Sequence, residues 1–126
     1  MADLYDRLVR TRAAQDSLEA LLAHLIARRG QARARVRDAK AEYEDRVHSS
    51  ARSHTFPEYT STREREASWD LDAFNEKLAV RREQRVLDEA EMAFEFVKLL
   101  HTGIDSTRRD LNALVYALSV EGRLEH

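Results

Sequence analysis

The chain has 126 residues, 35% of them charged, with a net charge of −2, three Gly, one Pro and no Cys. So little turn punctuation in one domain's length of chain excludes sandwiches, barrels and α/β folds, which turn about every ten residues. The missing cysteines exclude disulfides, thiolate metal sites and cysteine nucleophiles, and the near-neutral charge gives no global pull towards nucleic acid or anionic lipid.

Ala, Glu, Arg and Leu dominate, which is the usage of long helices. The expected fold class is therefore all-α. The segment Met1 to Asp6 lacks a basic, then apolar, leader pattern, so no secretory signal is expected. The most apolar stretch, Leu18 to Ala27, contains Glu19 and His24 and is too short to span a bilayer. A cytoplasmic protein without membrane attachment is expected.

A first helix is predicted over about 3–48, with Asp3 as its N-cap. Its apolar stripe runs Leu4, Leu8, Leu18, Leu22, Leu25, Ala32, Val36, Ala39, Tyr43 and Val47, thinning at 11–15 and 28–31. The register resumes unchanged after Gly30, which favours one continuous helix. Residues 49–62, rich in hydroxyl side chains and holding Pro57, read as the loop.

Ser61 and Glu64 have capping-box spacing and start a second helix near Thr62 that runs to about 120. Trp69, Leu71, Phe74 and Leu78 fall out of phase with the heptads after Val86, which predicts a stutter at 81–85. Ten positions then alternate in steps of four and three: Val86, Ala90, Ala93, Val97, Leu100, Ile104, Thr107, Leu111, Leu114 and Leu118. All but Thr107 are apolar, which is the seam one helix offers another. His101-Thr102-Gly103-Ile104 resembles a C-terminal cap, yet the seam crosses Gly103 in phase, so continuity is favoured over a break at 103. Residues 1–123 form the expected single helical-hairpin domain, and Leu124, Glu125 and His126 resemble an expression-tag remnant.

In an antiparallel hairpin around this loop, residue i faces a residue near 117 − i. Leu18 to Ala27 then face Ala90 to Leu99, apolar against apolar. Leu21, Ile26, Phe96, Leu99, Val115 and Tyr116 are surplus to that seam. Such a second stripe needs another partner, most simply a second copy forming a four-helix bundle. A different protein, or a third helix folded back, are the alternatives.

Arg29, Arg33, Arg37 and Lys40 form one basic stripe beside the seam. Pairing with Asp88, Glu89, Glu91 and Glu95 is the expected use, and phosphate binding the alternative. His24 and His101 read as half-buried structural histidines. Asp45 and His48 are too few for a metal site, and Ser49, Ser50, Ser53 and His54 lack the elbow and oxyanion hole of a hydrolase. Neither catalysis nor a cofactor is expected. Phe56, Tyr59 and Trp69 cluster near the hairpin tip, either as a partner contact or as a plug for the end of the bundle. The function expected is non-enzymatic protein–protein interaction, as an adaptor, chaperone or modulator, with nucleic-acid association through the 28–40 stripe as the alternative.

Overall fold

The computed structural model describes residues 2–125, with side chains as far as Gly122. His126 and the side chains of Leu124 and Glu125, part of the expected tag remnant, lie outside the described residues. Within that range the chain forms three helices and no strand: α1 (Ala2–Ser53), α2 (Thr62–Asp72) and α3 (Phe74–Glu125). Two compact units share these helices. The first combines residues up to Ala27 with those from Met92 onward, and the second spans Arg28–Glu91.

α1 already includes Ala2, which places Asp3 in the first turn rather than at the cap. It also runs past the expected end at 48. Ser53 Oγ donates to the Ser49 carbonyl at 2.8 Å within the helix, and the buried Ser50 hydroxyl donates to Asp72 of α2, so hydroxyl residues that favour loops find partners while helical. Ser61 caps α2, its Oγ accepting the Glu64 N–H at 3.1 Å.

The second helix breaks at Ala73 and not at Gly103. Ala73 has φ −96° and ψ 21° and is completely buried. The bonds Ala73 N–H to the Trp69 carbonyl (3.1 Å) and Lys77 N–H to the Ala73 carbonyl (2.9 Å) still bridge this kink. Gly103 lies inside α3 with no positive φ, and a Cβ added there meets nothing within 4 Å. Glycine weakens a helix by about 1 kcal/mol relative to alanine, and packing within the chain supplies no reason for it here.

Burial follows one heptad along α1 as far as Tyr43 and along α3 from Leu87 to Leu118. On α1 this row is Leu4, Leu8, Thr11, Gln15, Leu18, Leu22, Leu25, Arg29, Ala32, Val36, Ala39 and Tyr43, after which coverage passes to Val47 and Ser50. The apparent thinnings are polar residues occupying seam positions. On α3 the covered row is Leu87, Ala90, Phe94, Val97, His101, Ile104, Arg108, Leu111, Val115 and Leu118, with Val86, Glu91, Ala93, Asp105 and Asn112 partly covered beside it. Of the expected seam, Leu100, Thr107 and Leu114 are exposed and give way to their C-terminal neighbours, while Val86 and Ala93 keep part of their cover. The same phase extends back through Glu83, Val80, Glu76 and Ala73 to Trp69, so there is no stutter at 81–85. Leu71, Phe74 and Leu78 fell out of phase because they face outward, at 73%, 51% and 38% exposure.

In the first unit the arms run antiparallel. Gln15 Nε2 donates to Asp105 Oδ1 at 3.0 Å, and His101 Nε2 lies 3.3 Å from Glu19 Oε1. Residues at one level therefore add to 120, three more than the loop position implied, because α1 is longer and α2 intervenes. In the second unit Ala32, Val36 and Leu87 form a small core with Val86 against it. Among the described residues no large side chain is completely buried, since two helices enclose a seam but no interior.

Candidate interaction surface

The heptad gives the first unit two unlike flanks. One carries Lys98, Asp105 and Asn112 on α3 and is laced by polar bonds. Asp105 accepts from Gln15 and from Arg108 (3.1 Å), and its other oxygen lies 2.8 Å from Arg109. Partial burial pushes the Asp105 carboxyl up, but the Arg108 hydrogen bond, the Arg109 charge and the Gln15 amide together hold it below the usual carboxylate range.

The opposite flank is uncharged along its centre. Ala93, Leu100, Thr107 and Leu114 of α3 lie beside Ala14 and Leu21 of α1, with Phe96 next to them. Leu21, Leu100 and Leu114 are each 41–46% exposed and Phe96 63%. Half-covered aliphatics on a flank are what a helix pair leaves when a further layer is missing.

The structure separates the residues that the sequence grouped as surplus. Leu21 and Phe96 lie on the uncharged flank, and Leu99 at the outer back of α3. Ile26 and Tyr116 belong to the polar flank, and Val115 is a half-buried seam residue. Sequence reasoning missed Leu100 and Leu114, having assigned them to the seam. The signal for the correct assignment is the contrast between the polar 98/105/112 row and the uncharged 93/100/107/114 row. Seam positions His101 and Arg108 masked it. His24 is exposed instead of half-buried, while His101 is half-buried and bonded to Glu19.

The basic stripe also divides. Arg29 occupies a seam position, which displaces it from the flank where it was expected. Arg33 lies 3.6 Å from Glu91, Arg37 is 3.9 Å from its neighbour Asp38, and Lys40 is exposed. Asp88 instead accepts from Gln84 at 3.0 Å. Exposed pairs of this kind contribute about 0–1 kcal/mol each.

At the tip, Phe56 and Trp69 pack edge to face with ring centroids 6.3 Å apart, the Arg65 guanidinium stands 5.8 Å over Phe56, and the His54 ring lies tilted against Phe56. Tyr59 takes no part and is 90% exposed. Asp72 accepts from the Ser50 hydroxyl at 2.6 Å and is paired with His54. The Ser50 hydrogen bond, then that of His54, hold Asp72 below the usual carboxylate range against a smaller opposing effect of burial. The folded value lies below the unfolded one of about 3.9, so this stabilisation is present above about pH 4 and is lost as pH falls through the folded value. Urea unfolding followed by circular dichroism should therefore show stability falling below about pH 4, and Asp72→Asn should flatten that acid limb. An unchanged limb would assign it elsewhere.

Among the described residues no group of three or more His, Asp or Glu is placed to hold a metal ion, and no helix is long and apolar enough to cross a membrane. Comparison with protein-family models, curated proteins and solved structures finds no match to this chain.

Proposed function

We propose that this chain is a non-enzymatic helical-hairpin module that binds protein through the uncharged flank of its first unit, serving as an adaptor, chaperone or modulator and associating with itself. The observation that carries this reading is the placement of Leu100, Leu114 and Phe96 outside the seam while His101 and Arg108 stand inside it. A chain selected only for its own stability would hold the leucines in the seam and leave the polar side chains to water. Sites for catalysis need converging polar groups in an enclosing pocket, whereas the polar groups here pair along exposed flanks.

A photo-crosslinking side chain placed at position 96 or 100 should give polypeptide adducts, and the same group at Lys98, on the polar flank, should not. Equal labelling from all three, or none from any, would remove the basis for this reading. Nucleic-acid association through Arg33, Arg37 and Lys40 is the second reading, favoured by their exposure on one stretch of α1. It requires heparin retention that falls steeply with salt and is lost on reversing those three charges; on the protein-binding reading retention is weak in wild type and variant alike.

A further inference from the structure

We infer that the uncharged flank of the first unit is closed by a second copy of this chain, related by a two-fold axis running along the helices, so that each α1 lies on the other copy's α3. The inference rests on the protein-binding reading and specifies its partner and geometry.

Area sets the scale. The chain exposes 9607 Å², whereas a folded monomer of its 14.6 kDa exposes about 6,900 Å². The surplus of roughly 2,700 Å² is spread over both units, and the share on the first unit is the part a second copy can cover, each copy of an obligate homodimer burying roughly 1,000–2,500 Å².

Charge selects the axis. Along the rim of the uncharged flank, α1 carries Asp3, Arg7 and Arg10, while α3 carries Asp110 and Glu121. A two-fold axis along the helices lays Arg10 of each α1 at the level of Asp110 on the other copy's α3. An axis across the helices would set α1 on α1 and α3 on α3 and reverse the levels, so Arg10 would no longer meet Asp110.

The level rule then fixes the pairs. An axis along the helices preserves levels, so residues adding to 120 meet across the interface, as they do within the chain. Arg10 meets Asp110 of the second copy, Ser17 meets its Gly103, and Leu21 meets its Leu100 one residue off level. Charge faces opposite charge, small faces small, and leucine faces leucine. Gly103, which packing within the chain leaves unexplained, becomes the point where α1 of the second copy comes closest.

Sedimentation equilibrium on the full chain tests this. The wild type should sediment at twice the 14.6 kDa chain mass. Arg10→Asp and Asp110→Arg should each weaken the dimer about tenfold, while an equimolar mixture regains wild-type affinity because both rims of the mixed dimer carry opposite charges. Gly103→Leu has open space in the single chain, so it should retain helicity yet sediment as a monomer. A wild type that remains monomeric at about 100 μM, well above the micromolar range where such interfaces bind, would overturn the inference. So would charge variants whose mixture does not recover. A monomer that still gives adducts from positions 96 and 100 overturns the second copy alone, and a monomer giving none overturns the protein-binding reading with it.

Discussion

Val97→Asp should lower Tm by about 15 °C, whereas Leu99→Asp, two residues along the same helix, should lower it by less than about 3 °C. Val97 is 7% exposed in the seam and Leu99 is 72% exposed at the outer back of α3. A carboxylate forced into the apolar seam costs about 4 kcal/mol or more. That is a large part of the roughly 5–15 kcal/mol holding an ordinary domain folded. At position 99 the change costs only helix propensity, about 0.5 kcal/mol. Thermal melts by circular dichroism at low micromolar concentration decide it. Similar losses at both positions would show that the back of α3 is covered, and a small loss at 97 would show that the seam lies elsewhere.

The helical class, the Ser61 cap and the passage of helix through Gly30 and Gly103 were all legible in the sequence, because each depends on propensity, capping chemistry and phase over a long window. The seam was legible only to within one residue. Val86/Ala93/Leu100/Thr107/Leu114 and Leu87/Phe94/His101/Arg108/Val115 are neighbouring rows, and both share Ala90, Val97, Ile104, Leu111 and Leu118. Hydrophobicity alone prefers the first row. The second carries the cross-helix polar bonds, Gln15 to Asp105 and His101 to Glu19, and a single helix read by itself contains no trace of them. The kink at Ala73 was hidden for a related reason. Alanine is the best helix former, and the complete burial of Ala73, with Trp69 packed on Phe56, is tertiary information that local propensity does not carry. The same one-row shift moved Leu100 and Leu114 from the seam to the candidate surface, so a difference of one residue in register hid that face.

The one-row shift also reverses the usual expectation for charged and titratable groups. Replacing both His101 and Arg108 by leucine should raise Tm by about 8 °C. Each sits half-buried at a seam position, and Arg108 Nε is buried without a hydrogen-bond partner. Exchanging an imperfectly satisfied polar group for a packed leucine adds about 1 kcal/mol. Neither exchange strands its former partner. Asp105 keeps Gln15 and Arg109, and Glu19 has a side chain 56% exposed to water. The two positions are two helical turns apart, so their effects should add. Leu100→Ala supplies the contrast: were residue 100 the seam position, it would cost about 2–5 kcal/mol, whereas a flank residue at 45% exposure should cost under about 1 kcal/mol in the monomer. A fall in Tm for the double leucine variant would mean that His101 and Arg108 hold the arms in register by more than their packing costs. The protein would then have placed polar groups in its seam for alignment, and the leucines on its flank for a partner.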